Sequence, residues 1–221
     1  MKNQKWMTFD CYGTLVDWNG GFRSILEQIA GGRTEELVAA HHHFEAEIEC
    51  QTPHLSYREV LARTLEKAAG SCALKLPSGT EYAISDGWAQ IRPFPDVEEE
   101  LAKLRETGFK LGVLTNCDND LFELTHAQFK QRFDLVITAE QVKDYKPSLS
   151  HFRRFQRVSG VADSNWIHTA CSWFHDMVPA SMLGIPRIWV DRDQSGHDPT
   201  FATIRIPDAS GLCDVARRLS C

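Results

Sequence analysis

The spacing of the apolar residues divides the chain into three stretches. The first, Trp6–Phe9, is short, apolar and β-prone, which is typical of a buried strand. Beyond Asp17 the apolar residues recur at helical spacing, and glycine- or proline-containing breaks interrupt them three times. This second stretch predicts four helices with no strand between them, namely Phe22–Ile29, Glu35–Ile48, Tyr57–Ala69 and Glu81–Trp88.

In the third stretch, from Pro93 onward, strand-like and helix-like segments alternate. The predicted strands are Lys110–Thr115, Leu135–Ile137, Trp166–Thr169 and Arg187–Val190. The predicted helices are Val97–Thr107, Leu121–Gln131, Leu149–Val158 and Asp176–Leu183. Such alternation is typical of a parallel sheet with helices on both faces. We therefore expect an α/β core formed by residues 1–17 and 91–221, with an all-helical insertion over residues 18–90.

Composition narrows the range of partners. The chain has 221 residues and a formal net charge of −6, without a dense run of lysine and arginine, which argues against a nucleic-acid or anionic membrane surface. The N-terminal residues lead directly into the first strand without a signal-peptide pattern, so we expect a cytoplasmic protein. The seven cysteines form no CxxC pair and no zinc-like spacing, and we interpret them as reduced, mostly packing thiols.

Asp10 is the first candidate for chemistry, because it stands where the first strand gives way to the turn at Gly13. Ligands of open α/β sheets bind at this carboxyl edge, and a carboxylate held there can attack carbon or phosphorus covalently. The alternative is that Asp10 only caps the turn. A thiol nucleophile, such as the neighbouring Cys11, is a further alternative.

Three more polar groups follow predicted strands. They are Thr115-Asn116 after the second strand, Lys146 just before a helix, and Asp176 after the fourth strand. Singly, each has a simpler interpretation: Thr115 and Asn116 as turn formers, Lys146 as a solvated charge and Asp176 as a helix cap. Jointly, four such groups in chain order at successive strand ends indicate one site.

With these residues the chain resembles the haloacid dehalogenase superfamily nearly from end to end. Its four motifs are visible as Asp10-Cys11-Tyr12-Gly13-Thr14, Leu114-Thr115-Asn116, Tyr145-Lys146-Pro147 and the segment that closes at Asp176. The resemblance implies a Rossmann-like core with a mobile helical cap. It also implies that Asp10 is the nucleophile, that Thr115 follows the second strand as a site residue, and that Lys146 steadies the cluster of anions.

Two positions indicate the branch of that superfamily. Its phosphatases carry a second Asp, a general acid, two positions after the nucleophile, where this chain has Tyr12. By alignment, an acidic Mg²⁺ ligand of the phosphatases falls on Cys171, and magnesium prefers oxygen ligands. The Phe-Asp-x-Tyr-Gly-Thr-Leu motif is similar to that of the type II 2-haloacid dehalogenases, which use no metal, so we expect neither metal nor cofactor.

The resemblance implies a small anionic substrate, a 2-haloacid or a similar carboxylate. Asp10 would displace halide from C2, and water held by Asp176 would hydrolyse the resulting ester to a 2-hydroxy acid. The expected catalytic residues are Asp10, Lys146, Asp176 and Thr115. The expected substrate-binding residues are Cys11, Tyr12, Thr14, Asn116, Trp173 and His175. The oligomeric state stays open, with a homodimer as the form common in this branch.

Departures from that branch keep two other functions open. The cap segment Ala40–Phe44 lacks the arginine that holds the departing halide, and contains His41-His42-His43, of which only one is expected to face the cleft. The alternative is a solvent-facing polar patch. Phe152 and Trp173 replace a Tyr and an Asn of the family pattern. The rival functions are a small-molecule phosphatase and a catalytically weak protein that binds a small anion or a protein partner.

Overall fold

A six-stranded parallel sheet forms the centre of the molecule in the computed structural model, which describes residues 4–220. The strands are β1 (Trp6–Phe9), β2 (Lys110–Thr115), β3 (Leu135–Thr138), β4 (Trp166–Ala170), β5 (Arg187–Val190) and β6 (Ile204–Ile206). Their order is β3-β2-β1-β4-β5-β6, and every neighbouring pair is parallel. Residues 1–3 and 221, which the predicted core range included, lie outside the described residues.

Helices account for the rest of the regular structure. Four lie between β1 and the remainder of the core, namely α1 (Trp18–Ala30), α2 (Thr34–Glu49), α3 (Tyr57–Ser71) and α4 (Ala83–Asp86). The others are α5 (Val97–Glu106), α6 (Asn119–His126), α7 (Ala139–Val142), α8 (Ser150–Ser159), α9 (Val178–Met182) and α10 (Leu212–Leu219). The expected class, an α/β fold with a Rossmann-like sheet and a helical cap, is confirmed. The division at residues 17/18 and 90/91 stays a prediction.

The central position of β1 determines where polar side chains gather. All four of its residues are buried, and Phe9 pairs with Val113 of β2 on one side and Thr169 of β4 on the other. The chain order reverses at this strand, which makes its carboxyl end the topological switch point of the sheet. Residues that directly follow β1, β2 and β4 therefore meet at one edge.

The cap is attached to the core through the first turn of α3. The backbone N–H groups of Tyr57 and Arg58 donate to the two carboxylate oxygens of Asp118, over 2.9 and 3.0 Å. Asp118 follows β2 in the core and is almost fully buried. A carboxylate at a helix N-terminus satisfies free N–H groups and complements the helix dipole, so this contact orients the cap on the core.

Some predicted element boundaries were wrong, and one strand, β6, and two helices, α7 and α10, were not predicted. The helix predicted over Leu121–Gln131 ends at His126, and the predicted Glu81–Trp88 helix is reduced to α4 followed by a short 3-10 turn at Trp88–Gln90. Strand β6 has three residues and α10 follows it near the C-terminus. Three residues are too few to produce a period in the sequence, which is why β6 escaped notice. No helix within residues 4–220 has the length and apolar character needed to cross a membrane.

The cap has a buried titratable group in its interior. His41 of α2 is fully buried, with its ring edge-on to Phe22 at 4.8 Å between ring centroids. Burial, together with the neighbouring His42, lowers the pKa of His41 to about 3. Below pH 6.5 the unfolded chain therefore takes up a proton at this position that the folded protein does not. Stability contributed by neutral His41 is present above pH 6.5 and is lost as the pH falls toward 3.

We expect His41→Leu to reduce the pH dependence of unfolding. Between pH 7 and pH 5 the wild type should lose about 2 kcal/mol more unfolding free energy than the variant, because only the wild type has to exclude a proton from this position. Urea unfolding at the two pH values measures the difference. The control is His43→Leu at an exposed position of the same helix, which should keep the wild-type slope. If the unfolding free energy of wild type and of His41→Leu changed equally between pH 7 and pH 5, the lowered pKa of His41 would be contradicted.

Candidate active site

The Asp10 carboxylate is held by a hydrogen bond on each oxygen. Its Oδ1 accepts from Lys146 Nζ over 2.9 Å, and its Oδ2 accepts from Thr14 Oγ1 over 2.7 Å. The Thr14 hydroxyl in turn accepts from the backbone N–H of Cys171 over 2.8 Å. Asp10 is thus fixed by contacts with its own turn and with two other core segments, and it remains 7% exposed.

The turn after Asp10 requires glycine at position 13. Gly13 has φ +85°, a conformation that L side chains rarely adopt, and a Cβ there would lie 2.8 Å from the Cys171 sulfur. The backbone N–H groups of Leu15 and Val16 donate to the carbonyl of Cys11, over 2.8 and 3.2 Å. This tight turn brings Thr14 back to the Asp10 side chain.

Lys146 joins the two carboxylates of the site. Its ammonium donates to Asp10 Oδ1 over 2.9 Å, to Asp176 Oδ1 over 2.7 Å and to the carbonyl of Leu114 over 2.9 Å. The side chain is 1% exposed. Burial alone lowers the pKa of Lys146, but the charges of Asp10 and Asp176 outweigh it, so the net pKa is raised and the ammonium stays charged.

Asn116 holds the backbone of Lys146 in place. Its Oδ1 accepts from the Lys146 N–H over 2.8 Å, and its Nδ2 donates to the Lys146 carbonyl over 3.1 Å. Asn116 was expected to bind substrate through its side chain. The structure places it on the cavity wall with its amide engaged by Lys146, so its observed contacts are those of a positioning residue.

Asp176 lies in a single π-helical turn, Trp173–Met177, instead of beginning a regular helix as expected. The N–H groups of Asp176 and Met177 both donate to the carbonyl of Ser172 over 3.2 Å, and the Ser172 hydroxyl accepts from His175 N–H over 3.1 Å. Such turns recur at functional sites because they insert one extra residue into a helix. Here the turn directs a fully buried carboxylate toward Lys146.

A histidine of β4 that was not predicted as a site residue forms a hydrogen bond with Asp176. His168 of β4 is fully buried, and its Nε2 lies 3.0 Å from Asp176 Oδ1. Its Nδ1 lies 2.9 Å from the hydroxyl of Thr8, which also accepts from Trp166 Nε1 over 2.8 Å. Because a carboxylate can only accept, the hydrogen bond to Asp176 requires the proton on His168 Nε2, and in a neutral imidazole Nδ1 then accepts from the Thr8 hydroxyl.

The two oxygens of Asp176 are in different situations. Oδ1 accepts from both Lys146 and His168, whereas Oδ2 is buried and has no hydrogen-bond partner within the described part of the chain. Burial raises the pKa of Asp176, but Lys146 and His168 outweigh that effect and lower it overall, to about 2. The residue is therefore an ionised hydrogen-bond acceptor and a weak base.

A cavity of about 230 Å³ lies between the core and the cap above these groups. Its size suits a small ligand. The core contributes Asp10, Tyr12, Asn116, Lys146, Ser172, His175 and Asp176, and the cap contributes Trp18, His42, Glu45, Ala46, Glu49 and Tyr57. Three of the four expected catalytic residues, Asp10, Lys146 and Asp176, therefore share one cavity with three expected binding residues, Tyr12, Asn116 and His175.

The other expected site residues lie behind or beside this cavity. Thr115 is fully buried with its hydroxyl 3.6 Å from Cys117 Sγ, and Thr14 is occupied with Asp10. Cys11 is also fully buried. Trp173 lines a neighbouring cavity, where its ring stacks on that of His197 at 5.1 Å between centroids. Roles for these four residues in contact with substrate stay predictions.

The Tyr12 hydroxyl points away from Asp10 into the contact between core and cap. It accepts from Trp88 Nε1 over 3.0 Å and lies 2.9 Å from the hydroxyl of Thr125. Burial raises the pKa of Tyr12 well above its ordinary value. The phenol is thus a structural hydrogen-bonding group at a position where, in the family's phosphatases, the resemblance predicts an acid.

The thiols near Asp10 are poor nucleophiles. Burial is the main cause that raises the pKa of Cys171 to about 12 and that of Cys117 to about 12, and it raises the pKa of Cys11 well above its ordinary value. The reactive form of a cysteine is the thiolate. Neutral thiols at all three positions argue against the thiol alternative and leave Asp10 as the candidate nucleophile.

The groups around Asp10 do not fit a magnesium ion. One oxygen of Asp10 contacts the Lys146 ammonium and the other a hydroxyl, while the neighbouring Cys171 offers a thiol. Magnesium demands octahedral oxygen ligands, and an ammonium competes with a cation for the carboxylate. Within residues 4–220, no group of three or more His, Cys, Asp or Glu side chains is arranged to hold a metal.

The cap wall carries no lysine or arginine among the described residues that line the cavity. Of His41, His42 and His43, His42 lines the cavity, and burial together with Arg23 lowers its pKa, so it is mostly neutral at pH 7. Arg58 pairs with Asp120 and Arg92 contacts Gln128, both away from the cavity. The cap instead presents Glu45 and Glu49, which the sequence analysis missed although their i, i+4 spacing places them on one helix face.

Comparisons with known proteins agree with this arrangement. The sequence profile described as "Haloacid dehalogenase-like hydrolase" matches residues 8–190. An (S)-2-haloacid dehalogenase of Pseudomonas fluorescens is 22% identical over 204 residues. The match covers 90% of this chain and 89% of the Pseudomonas protein. The crystal structure of the L-2-haloacid dehalogenase RSc1362 superposes with a TM-score of 0.85 at 22% identity, covering 96% of this chain and 98% of its own. The structure of the L-2-haloacid dehalogenase from Xanthobacter autotrophicus superposes with a TM-score of 0.84 at 19% identity. The match covers 96% of this chain and 98% of the Xanthobacter chain.

Removal of the bridging cation should destabilise the core in a pH-dependent way. We expect Lys146→Met to lower the unfolding free energy by about 3–5 kcal/mol at pH 7, because Asp10 and Asp176 are left as uncompensated buried charges. The loss should be smaller at pH 5, where one carboxyl takes up a proton and relieves the repulsion. Chemical unfolding at both pH values measures this.

Lys143→Met is the matched control, since Lys143 lies three residues earlier and is exposed. It should change stability by no more than about 0.5 kcal/mol at either pH. A loss for Lys146→Met that is the same at pH 7 and pH 5 would show that packing rather than charge explains the effect, and would count against the bridging role.

Proposed function

The chain belongs to the haloacid dehalogenase-like hydrolases, and from this membership we propose that it is a metal-independent hydrolase of the 2-haloacid dehalogenase type. Asp10 attacks C2 of a small 2-haloalkanoate, and the resulting ester is hydrolysed to a 2-hydroxy acid. The names of its relatives, (S)-2-haloacid dehalogenases, support this choice of substrate class.

The observation that carries the proposal is the position of Lys146 between two carboxylates with different surroundings. Asp10 lines the cavity and keeps some exposure, which suits a nucleophile that must reach substrate. Asp176 lies behind it, and one of its oxygens has no hydrogen-bond partner within residues 4–220, which suits a group that orients water. The shared ammonium holds both carboxylates in place and helps to lower the pKa of Asp176.

The first step is a displacement at carbon. A carboxylate oxygen of Asp10 forms a bond to C2, and the carbon–halogen bond breaks with its electron pair on the halide. No proton is needed, which agrees with a Tyr12 hydroxyl that is occupied by Trp88 and Thr125. Loss of the Asp10 charge leaves Lys146 with Asp176 as its only ionised partner.

The second step is ester hydrolysis. Water attacks the carboxyl carbon of Asp10, and the bond from that carbon to the ester oxygen, which came from Asp10, breaks. The 2-hydroxy acid leaves with this oxygen and one proton of the water, and the other proton is released to solvent as the Asp10 carboxylate reforms. Asp176 accepts a hydrogen bond from this water through Oδ2. Because its pKa is lowered, Asp176 contributes more by orientation than as a base.

We expect halide release from 2-chloropropionate or chloroacetate without added metal, and its loss in Asp10→Asn. The amide is a far weaker nucleophile than the carboxylate. Chloride release after treatment with EDTA measures the activity. Asp17→Asn is the control, because Asp17 caps α1 by accepting from Gly20 N–H over 2.9 Å and does not line the Asp10 cavity.

Two results would replace this function by its rivals. Hydrolysis of a generic phosphate ester that rises with Mg²⁺ and disappears in Asp10→Asn would identify a phosphatase. An inactive wild type with every substrate would leave only the binding function.

Replacement of Asp176 should separate the two steps. We expect Asp176→Asn to slow ester hydrolysis by about 10²-fold while Asp10 can still be alkylated, so that the covalent ester accumulates. Intact-protein mass spectrometry after mixing with 2-chloropropionate should show an increase equal to the substrate minus hydrogen chloride, located on the peptide that contains Asp10.

The control for this experiment is the double variant Asp10→Asn/Asp176→Asn, which should gain no mass. An unmodified Asp176→Asn protein that nevertheless turns over at the wild-type rate would remove Asp176 from the mechanism. Modification at a cysteine instead of Asp10 would contradict the assignment of the nucleophile.

A further inference from the structure

The cap wall of the cavity carries two carboxyl groups that the proposed reaction does not use. Glu45 and Glu49 lie four residues apart in α2, on the same face of the helix, and both line the cavity that contains Asp10. In a site for an anionic substrate and a departing halide, acidic side chains at this place need an explanation.

The two carboxyl groups differ in their contacts. The Tyr57 hydroxyl donates to Glu45 Oε1 over 2.7 Å, which fixes the direction of that side chain. Within residues 4–220, the carboxyl group of Glu49 makes no hydrogen bond or ion pair, although Lys146 is near enough to influence its titration. Glu49 is thus the freer of the two and stands where a ligand can reach it.

Charge in the cavity is out of balance. Four carboxyl groups line it, namely Asp10, Asp176, Glu45 and Glu49, and Lys146 is the single lysine or arginine among the lining residues that the structure describes. Lys146 already divides its hydrogen bonds between Asp10 and Asp176. No basic side chain is therefore left for the cap carboxyls.

Two further observations indicate that a ligand completes this site. Burial raises the pKa of Glu45 and of Glu49, and for Glu49 the charge of Glu45 adds to the effect, so ionisation of the pair is costly until a positive group arrives. Independently, Asp176 is fully buried, lines the same cavity and has one carboxylate oxygen with no hydrogen-bond partner among the residues that the structure describes.

We propose that Glu45 and Glu49 form a subsite for a protonated amine of the substrate, so that the preferred substrate is a small zwitterionic 2-haloacid. This inference rests on the proposed function for the reacting carbon. The ammonium donates to the cap carboxyls, and C2 and the substrate carboxylate face the core wall around Asp10 and Lys146. The halogen points away from Asp10, toward the cap, because displacement requires the attacking oxygen and the leaving group on opposite sides of C2. A divalent cation fits less well, because it requires more oxygen ligands than this pair supplies.

The sharpest test compares isosteric substrates. In 4-amino-2-chlorobutyrate an ammonium replaces the terminal methyl group of 2-chloropentanoate, and in 2-chloroglutarate a carboxylate stands at the same end. We expect wild-type kcat/KM for chloride release, corrected for the enzyme-free rate, to be at least about tenfold higher for the amine than for 2-chloropentanoate, and lowest for 2-chloroglutarate.

Three variants assign the preference to the cap carboxyls. Glu49→Gln and Glu45→Gln keep the size of the side chain, and the glutamine at position 45 can still accept from Tyr57. Each should reduce the ratio of kcat/KM between the amine and 2-chloropentanoate toward one. Glu47→Gln is the matched control, because Glu47 is exposed in the same helix and pairs with Lys67. It should keep the wild-type ratio.

A binding measurement separates this inference from the proposed function. Calorimetry with wild-type protein should show tighter binding of 4-aminobutyrate than of its isostere pentanoate, and Glu49→Gln should abolish the difference. This preference without halide release from any substrate would refute the dehalogenase function and support the subsite. Halide release without either preference, or preferences that survive in Glu49→Gln and Glu45→Gln, would overturn the subsite and leave the function standing.

Discussion

The ammonium of Lys146 is the contact on which the arrangement of this site depends. Two buried carboxylates at the ends of different strands repel each other, and desolvation penalises each of them. A single cation within 2.9 Å of both converts this repulsion into a three-charge cluster. Because the Leu114 carbonyl takes a further hydrogen bond and Asn116 clamps the Lys146 backbone, the cation itself cannot shift without disturbing β2 and its loop. The geometry of the candidate site and the stability of the core are therefore coupled at one side chain.

The sequence predicted the site residues that stand at strand ends, but not those whose role depends on neighbours in space. The sequence could predict three residues of the site, Asp10, Lys146 and Asp176. The strand ends of a parallel sheet converge at one edge, so the order of elements alone brings these residues together. The sequence could not predict the role of His168, because inside a buried strand an imidazole cannot be distinguished from a packing residue until its neighbours in space are known. Thr115 and Trp173 occupy the expected segments, yet their side chains turn toward Cys117 and His197, and a one-dimensional pattern does not determine that direction.

The cap depends on a different kind of contact. Asp118 accepts from two N–H groups at the start of α3, and the Tyr12 hydroxyl joins Trp88 to Thr125 across the boundary between cap and core. Tyr12 thus takes part in the docking of the cap, whereas its sequence position suggested a substrate-binding residue and the absence of an acid. Glu45 and Glu49 reach the cavity because α2 is held at this angle. A helix pattern predicts which residues share a face, but the face that meets Asp10 is determined by docking.

In the proposed reaction, the carboxylate nucleophile faces a cap wall that also carries carboxyl groups. This arrangement limits which ligands can enter the cavity. A halide leaves with a full negative charge, and in surroundings of low dielectric two ionised glutamates would oppose its formation. That opposition vanishes if the glutamates are neutral or if a cation lies between them and the halide. A substrate ammonium bound as proposed would do the latter, because it would lie between the cap carboxyls and the rest of the substrate. The substrate would then bring the positive charge that an arginine of the cap supplies in the dehalogenases this chain resembles, and a substrate without that charge would meet a wall that resists the first step.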